Sequence, residues 1–156
     1  TVFGQGSRFR IELLPNHFCF SALVNKELRV ADLNAYRAFI HIETLVGAYR
    51  KIIESRIFNN QIYNIGSFNL TKLEVALSIQ RAFECKIITI PDIGDLRNLQ
   101  ISSTRLVAET GVDLNDDFDL RISQLIEWMT PRAADFSSDQ FNGMLNMPLS
   151  NWLKLI

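Results

Sequence analysis

The sequence predicts an α/β fold, and two observations favour this class. Stretches with helical periodicity alternate with short strand-like runs along the 156 residues, as in folds that pack helices against a sheet. The 47% of hydrophobic residues and 21% of charged residues are those of an ordinary globular chain that can bury a core. Only two or three short strands are expected, fewer than the roughly four to six of a typical sheet, so further strands are expected outside this sequence.

The first half of the chain begins with a strand end that runs into a loop over residues 1–7. A helix is predicted over Asn16 to Asn25, because a proline and an asparagine precede its apolar residues. The alternating residues Glu27 to Val30 predict a short strand. Apolar residues at helical spacing predict a clearer helix over Ile42 to Ser55, and Gln61 to Ile65 is a β-like run.

The strongest local signal is a helix start at Thr71. Thr71 and Glu74 have the spacing of a capping box, in which each side chain satisfies a backbone N–H that has no partner within the helix. This helix is predicted to run to about Phe83. Lys86 to Ile90 then alternates up to Pro91 and is the most strand-like run in the chain.

The last third of the sequence predicts a loop and two helices. Residues 92–98 are polar and are expected to form the loop. A short helix capped by Ser102 or Ser103 is expected to end at Gly111, which suits a left-handed C-terminal position. A final helix is predicted over Leu120 to Met129, where a proline soon follows.

The two ends of the chain carry expectations of their own. The start at Thr1 shows neither a signal peptide nor an initiator methionine and is typical of the interior of a longer chain. Residues 131–156 have weak periodicity but are too apolar for a solvated tail. We therefore expect one domain over residues 1–130 and a C-terminal extension over residues 131–156 that docks on this domain or on a partner.

Bulk charge and residue types exclude several functions. The net charge of -1 gives no field that would steer the chain to nucleic acid, and no apolar run approaches the roughly 18 residues of a membrane span. His17 and His41 lack a third ligand at metal-binding spacing. Cys19 and Cys85 are isolated thiols that suit buried structural positions and a reducing compartment, so a cytoplasmic location is expected.

Five stretches, in this order, resemble the extended short-chain dehydrogenase/reductase family of NAD-dependent nucleotide-sugar epimerases and dehydratases. They are Thr1-Val-Phe-Gly4, Arg37-Ala-Phe-Ile-His41-Ile, Ile62-Tyr-Asn-Ile-Gly66, the stretch from Asp95 to Val112, and the helix around Ile122 to Trp128. The first is similar to the family's Asn-Val-Tyr-Gly, and the second to its Arg-x-Phe-Ile-His-Val. The resemblance implies the C-terminal part of such an enzyme, with the edge of a Rossmann-type sheet and a small α/β substrate-binding subdomain.

The resemblance also implies a binding site for a nucleotide-sugar substrate. Arg37 and Arg97 match the family's phosphate- or nucleotide-contacting arginines, and arginine suits bidentate phosphate contact. Arg10 and Asn16 fall near the family's substrate loop and the helix after it, and Phe3 matches the family's tyrosine near the nicotinamide. A structural role is the alternative for each: an ion pair or exposed charge for the arginines, a helix cap for Asn16 and core packing for Phe3.

Several positions depart from the family pattern. Ala31-Asp-Leu-Asn34 stands where the family has a glycine-rich hairpin, and Glu43 and Thr44 stand where it usually has an aspartate. Thr1 replaces a frequent asparagine. His41 lies in an apolar run and is expected to be a partly buried histidine at the base of a helix rather than a catalytic one.

The catalytic groups of the family are absent from this sequence. No glycine-rich turn is present to hold a pyrophosphate at a helix N-terminus. Tyr36, Tyr49 and Tyr63 are not followed four residues later by the lysine that a Tyr-x-x-x-Lys pair needs for proton transfer. We therefore expect the chain to bind a nucleotide sugar without catalysing alone and without a cofactor of its own, while a missing N-terminal Rossmann half or a partner chain holds NAD or NADP.

Two interpretations of the function stay open at this point. The first is the substrate-binding portion of an NAD(P)-dependent epimerase, dehydratase or reductase. The resemblance implies a homodimer as a possible assembly for such an enzyme, since members of the family often dimerise. The second is a non-catalytic interaction or structural protein derived from such an enzyme. In the second case the old substrate surface or the apolar extension would bind a partner.

Overall fold

The computed structural model describes residues 1–6, 9–56, 60–91 and 98–133. Its strands are β1 (Val2–Phe3), β2 (Glu27–Val30), β3 (Tyr36–His41), β4 (Phe68–Thr71) and β5 (Lys86–Thr89). Its helices are α1 (Leu14–Asn25), α2 (Ile42–Glu54), α3 (Lys72–Ala82), α4 (Thr104–Thr110) and α5 (Phe118–Met129), with a 3-10 turn at Thr130–Arg132. Helices and strands alternate along most of the described chain, which confirms the predicted α/β class.

The described strands form two small sheets. β1 and β3 are parallel, with Val2 opposite Ile40, and β3 and β4 are antiparallel, with Arg37 opposite Leu70. β2 and β5 form a separate parallel pair. β3 is thus the central strand of the three-stranded sheet, and its last four residues are buried.

Three helices enclose the main hydrophobic core. α1, α3 and α5 pack against one another and over both sheets, so that residues from all of these elements meet. The core includes Phe3, Phe18, Leu28, Phe39, Val75, Ile79, Ile122 and Leu125. A second, smaller cluster joins β3, α2 and α4 through Ile40, Ala48, Leu106 and Val112.

The predicted start of α3 is confirmed in atomic detail. The Thr71 hydroxyl oxygen accepts a hydrogen bond from the Glu74 backbone N–H at 3.1 Å, and the Glu74 carboxylate accepts one from the Thr71 backbone N–H at 2.7 Å. Leu70 and Val75, on either side of the cap, both contribute to the main core. A local sequence pattern and the tertiary packing therefore agree on where this helix begins.

The predicted strand over Gln61 to Ile65 is wrong. These residues form no strand, and the Ile62 side chain is almost fully exposed. Pairing with β3 begins only at Phe68, which lies opposite Phe39. The strand therefore forms where the chain reaches the edge of β3, and the β-like residues before it serve as a connection.

The other elements that were predicted lie close to their predicted positions, whereas β3 and β4 had no prediction. β2 has the predicted bounds, and α2 ends at Glu54, one residue early. α1 begins at Leu14 and α5 at Phe118, each two residues before the predicted start. For α5 the reason is Asp117, whose side chain accepts a hydrogen bond from the Leu120 backbone N–H and caps the helix.

The C-terminal boundary stays a prediction. Of residues 131–156, only those up to 133 belong to the described ranges, so the docking of this extension falls outside them. No helix in the described part of the chain has the length and apolar character needed to cross a bilayer.

Candidate functional site

The end of β1 is tied to the start of α1 by a buried asparagine. The Asn16 side chain accepts a hydrogen bond from the Gly4 backbone N–H at 3.3 Å and donates one to the Arg10 carbonyl at 2.8 Å. Asn16 is only 1% exposed, and Leu13 rather than Asn16 is the N-cap of α1. Arg10 and Asn16 are therefore brought together, but Arg10 points an exposed guanidinium at Glu12 while Asn16 holds the loop from inside.

Phe3 lies in the core beneath this corner. Its ring contacts His41 and Phe118, each with a centroid separation of 5.3 Å, and meets Phe39 edge to face at 6.4 Å. The side chain is buried. Core packing is the role that these contacts give to Phe3, and its contact with a cofactor stays a prediction.

His41 is the last residue of β3 and the N-cap of α2. Its Nδ1 accepts a hydrogen bond from the Glu43 backbone N–H at 3.4 Å, which requires that nitrogen to be unprotonated. Burial lowers the pKa of His41, and the nearby positive charge of Arg121 lowers it further. The expectation of a buried histidine at the base of a helix is thus confirmed.

An ion-pair network beside His41 joins α2 to α5. The Arg121 guanidinium donates to Asp116 at 2.8 Å and to Glu43 at 2.7 Å, and the Thr44 hydroxyl donates to Asp116. Burial acts to raise the pKa of Asp116, but its hydrogen bonds with Thr44 and Arg121 outweigh burial and lower the pKa. The two departures from the family pattern, Glu43 and Thr44, therefore serve to bind α5 in place.

The free energy of unfolding is expected to fall as the pH drops below about 6.5, the usual histidine pKa in an unfolded chain. Burial lowers the pKa of His41 and of His17 in the folded protein. The folded state then binds fewer protons than the unfolded state, so stability that is fully present above the unfolded pKa is lost as the pH falls toward the folded pKa. Asp116, whose pKa is lowered, loses its contribution only below about 4.

Urea unfolding at several pH values between about 5 and about 7.5 measures this effect. His41→Asn keeps a capping acceptor that does not titrate, so its stability is expected to decline less steeply over this range than that of the unchanged protein. Equal slopes for the two proteins would contradict the role given to His41.

Arg37 lies at the opposite end of β3 from His41, roughly 13 Å away at the usual rise of a strand. Its guanidinium donates to the Tyr36 carbonyl at 2.8 Å, and the side chain is partly exposed. The Tyr36 backbone also binds the next segment, since its N–H donates to the Asn98 side chain at 2.9 Å and its carbonyl accepts from the Leu99 N–H at 3.1 Å. Arg97 itself lies outside the described residues, as does Asp95, but the residue that follows Arg97 is bonded beside Arg37.

The loop over residues 31–34, which stands where the family has a glycine-rich hairpin, is bonded to the start of α3. The Lys72 ammonium lies 3.4 Å from the Asp32 carboxylate, and both side chains are buried or nearly so. The backbone N–H groups of Lys72 and Leu73 donate to the carbonyls of Ala35 and Leu33 at 3.2 and 3.1 Å. These bonds satisfy two helix-start amides, so the loop and the helix hold each other.

Beyond Leu99, the segment that leads to α4 is attached through side chains. The Asn69 amide of β4 donates to the Ile101 carbonyl and accepts from the Ile101 N–H, both at 2.9 Å. The Ser103 hydroxyl donates to the Gly66 carbonyl at 3.0 Å and accepts from the Gly66 N–H at 2.9 Å. Of the two predicted caps, Ser102 and Ser103, Ser103 is the N-cap residue of α4, but its side chain bonds Gly66 and makes no capping bond. Gly111 ends the helix in a left-handed conformation, as predicted.

Two open pockets are lined by different sets of residues. One, of about 370 Å³, is lined by Gln5, Glu43, Gln124, Glu127 and Trp128, next to the end of β1. The other, of about 650 Å³, lies between β4 and the segment before α4. In the ranges that the structure describes, no group of three side chains is arranged to hold a metal ion.

Both cysteines are buried, as predicted. Burial raises the pKa of the Cys19 thiol, and a nearby Cys85 acts in the same direction. Burial also raises the pKa of Cys85. Thiols held in the protonated form are poor nucleophiles, so a structural role fits both residues.

The chain matches no known protein-family model. Several solved structures are nonetheless similar over most of it. UDP-glucose 4-epimerase from Thermotoga maritima with UDP-glucose has 16% identity and a TM-score of 0.71, over 85% of this chain and 44% of that chain. UDP-glucuronic acid 4-epimerase from Bacillus cereus has 12% identity and a TM-score of 0.72, over 85% and 43% of the two chains. RMD from Pseudomonas aeruginosa complexed with NADPH has 16% identity and a TM-score of 0.71, over 85% and 46%.

These similarities agree with the five stretches that the sequence shares with one family. The identities are low, and what the likeness establishes is the fold. This chain spans less than half the length of each of the three structures. The chain therefore has the fold of the extended short-chain dehydrogenase/reductases, over a portion of such a protein.

Proposed function

We propose that this chain binds the nucleotide-sugar substrate in an NAD(P)-dependent epimerase, dehydratase or reductase. The placement of Arg37 carries the proposal. Arg37 stands partly exposed at the entry end of the central strand β3, and the backbone of Tyr36 holds the residue that follows Arg97 beside it. An arginine in this place suits a diphosphate, because a guanidinium donates two parallel hydrogen bonds to phosphate oxygens, and the match of Arg97 to the family's second arginine stays a prediction.

The distribution of charge supports the Arg37 end over the opposite one. The pocket beside the end of β1 is lined by the carboxyl groups of Glu127 and Glu43, and although Arg121 offsets the charge of Glu43, two carboxylates in the lining disfavour a diphosphate. The other described residues that line this pocket carry amides and an indole. We therefore place the diphosphate near Arg37 and not at the His41 end of β3.

The chain's own residues do not fit a dinucleotide cofactor. The sequence has no glycine-rich turn for its pyrophosphate and no Tyr-x-x-x-Lys pair for proton transfer. Phe3, the one residue with a predicted cofactor contact, is buried among aromatic rings. We propose that NAD or NADP and the reacting groups are held by another part of the protein and that this chain orients the substrate.

Arg37→Gln is expected to weaken binding of UDP-, dTDP- or GDP-linked sugars by at least about tenfold, since a charge-assisted hydrogen bond contributes roughly 1.5–3 kcal/mol. Isothermal titration calorimetry measures the Kd for each of the three nucleotide classes in turn. The unchanged protein and the variant are both titrated, in the length in which the protein is isolated from its source. Arg105→Gln is the matched control, because Arg105 is an exposed arginine on α4 that pairs with Glu109. The control is expected to leave the Kd unchanged.

The second interpretation, a non-catalytic interaction protein, predicts a different result in the same titration. None of the three nucleotide classes would bind, and Arg37→Gln would change nothing. Equal losses of affinity in Arg37→Gln and Arg105→Gln would also contradict the proposal, since only a general effect of charge would then remain.

A further inference from the structure

The larger of the two pockets, of about 650 Å³, has a volume that suits a small-molecule ligand. Its described walls are residues 66–69 at the start of β4, residues 101–104 before α4, one side of α4 itself, and residues 112–115 after that helix. The first two walls are joined by the side-chain hydrogen bonds of Asn69 and Ser103 described above. We call this site the α4 pocket, and its walls are held in place by bonds within the chain.

The α4 pocket lies on the opposite face of the three-stranded sheet from Arg37. Successive side chains of a strand point to alternate faces. Arg37 lies opposite Leu70, whose side chain packs against the main core. Asn69, the residue before Leu70, therefore points to the other face, where it bonds to Ile101 and lines the pocket. The sheet thus separates a ligand in this pocket from the proposed diphosphate site.

The charges of the lining favour an uncharged ligand. Asp113 is the one ionised side chain among the described residues that line the pocket, and none of those residues is cationic. The Asp113 carboxylate would repel a phosphate group. A metal ion is disfavoured as well, since the described ranges contain no group of three side chains that could hold one.

The segment after α4 presents polar groups to the pocket. Val112 and Leu114 are buried in the smaller core, whereas Asp113 and Asn115, which alternate with them, are exposed. Asn115 uses its backbone N–H to bond the Asp113 carboxylate, and its side-chain amide makes no hydrogen bond within the described residues. A carboxylate accepts hydrogen bonds and an amide both donates and accepts, so the pair suits neighbouring hydroxyl groups of a ligand.

The segment before α4 and the helix add hydroxyls and an apolar side. The exposed hydroxyls of Ser102 and Thr104 lie 2.9 Å apart, and each can donate or accept a further hydrogen bond. Val107 and Ala108, on the side of α4 that lines the pocket, are both exposed. Hydroxyl-binding groups beside a small apolar surface match a sugar ring, which carries hydroxyls at its edge and C–H groups on its faces.

Ser67 provides an independent indication of a ligand. Its Oγ is excluded from water and has no hydrogen-bond partner within the described residues. Buried hydroxyls in native proteins are nearly always hydrogen-bonded, because burial removes their bonds to water. Ser67 lines the α4 pocket, so a ligand hydroxyl that reaches this wall would provide the partner.

We propose that the α4 pocket is a binding site for a neutral sugar. Asp113 and Asn115 bind neighbouring hydroxyls of the sugar, Val107 and Ala108 contact a C–H face of its ring, and Ser67 bonds a further hydroxyl. The site does not use Arg37 and takes no nucleotide. It therefore stands or falls separately from the proposed function.

Saturation-transfer difference NMR with D-glucose and D-mannose as probes tests the proposal, on the protein in the length in which it is isolated from its source. Transfer to the ring protons is expected, with a Kd of about 1 mM, since a few hydrogen bonds between neutral groups give weak binding. Asn115→Ala is expected to raise the Kd by about fivefold, as for the loss of one such bond. Ala108→Tyr fills the pocket from an exposed helical position and is expected to abolish the transfer.

Asn25→Ala is the matched control, because Asn25 is an exposed asparagine at the end of α1 and does not line the pocket. It is expected to leave the Kd unchanged. Absence of transfer to both probes at about 10 mM, ten times the expected Kd, would overturn the proposal. So would transfer that persists in Ala108→Tyr, because the sugar would then be bound elsewhere, for example in the nucleotide-sugar site.

Ser67→Ala gives a second measurement. Without sugar, it is expected to raise the Tm by about 1–4 °C, because it removes a buried hydroxyl that has no partner in the described chain. The same variant is expected to bind the sugar at least about twofold more weakly, because the ligand loses one hydrogen bond. A lower Tm with unchanged sugar binding would show that the hydroxyl already has a partner and would overturn the role given to Ser67.

Discussion

Gly4→Ala is expected to destabilise the protein by about 2–6 kcal/mol, from backbone strain of about 1–3 kcal/mol and overpacking of similar size. Gly4 has a φ of +115°, which side chains other than hydrogen rarely allow. A Cβ at this position would overlap the His41 ring, with Cδ2 only 2.7 Å away. The ring cannot move aside easily, because it is buried against Phe3 and caps α2.

Urea unfolding followed by circular dichroism measures this loss, and Gly6→Ala provides the control. Gly6 lies two residues further along the same loop, has no positive φ, and an added Cβ would meet no atom within 4 Å. Its replacement is expected to leave stability unchanged or slightly increased, because alanine restricts the unfolded chain. Similar unfolding midpoints for Gly4→Ala and the unchanged protein would show that the corner between β1 and α1 is not fixed by Gly4.

Lys72→Met is expected to cost about 3–5 kcal/mol, the usual penalty for removing one member of a buried ion pair. The Lys72 side chain is 2% exposed, and its ammonium faces the Asp32 carboxylate, which is also largely excluded from water. Methionine fills a similar volume but leaves that carboxylate without this cation. The free energy of unfolding, again from urea titration, measures the change.

The double variant Lys72→Met with Asp32→Asn separates the charge from the packing. The introduced asparagine would be uncharged, and asparagine tolerates the left-handed φ of +48° that Asp32 adopts. The double variant is therefore expected to be more stable than Lys72→Met alone. If it is less stable, the ion pair is not the source of the loss, and the packing of the lysine stem against the loop is.

Local chemistry made the start of α3 predictable, and it did so for a physical reason. The capping box at Thr71 and Glu74 satisfies backbone groups through residues only three apart, so the sequence alone contains the whole interaction. Gly111 at the end of α4 is similar, because a left-handed residue is favoured by its own lack of a side chain. Signals of this kind do not depend on how the rest of the chain folds.

β3 could not be predicted in this way, although it is the centre of the sheet. Its residues from Ala38 to His41 are buried without alternation, because β1 and β4 flank the strand and core lies on its faces. The run from Gln61 to Ile65 is β-like in sequence, yet it pairs with none of the described strands. Strand formation is decided by a neighbour that lies far away in the sequence, and periodicity carries no information about that neighbour.

The candidate site was likewise only partly predictable from the sequence. The resemblance of the sequence to a family indicated Arg37 and Arg97, whereas the network of Arg121 with Asp116 and Glu43 was not foreseen. That network links residues more than seventy positions apart, and its only local trace is the pair of aspartates that precedes α5. The hydrogen bonds that the Asn16 side chain makes with Gly4 and Arg10 could not be predicted either, because the two partners show no pattern in the sequence.

The attachment of residues 98–103 to the sheet has a consequence for local opening. Hydrogen bonds between two strands form a ladder that separates cooperatively, whereas Asn69 and Ser103 each hold one point independently of the other. This segment can therefore leave the sheet in small steps, without unpairing β3 from β4, at a free energy below that of global unfolding. Because the same segment is bonded to the Tyr36 backbone beside Arg37, such sub-global opening would give a bulky ligand a route to the arginine while the core stays folded.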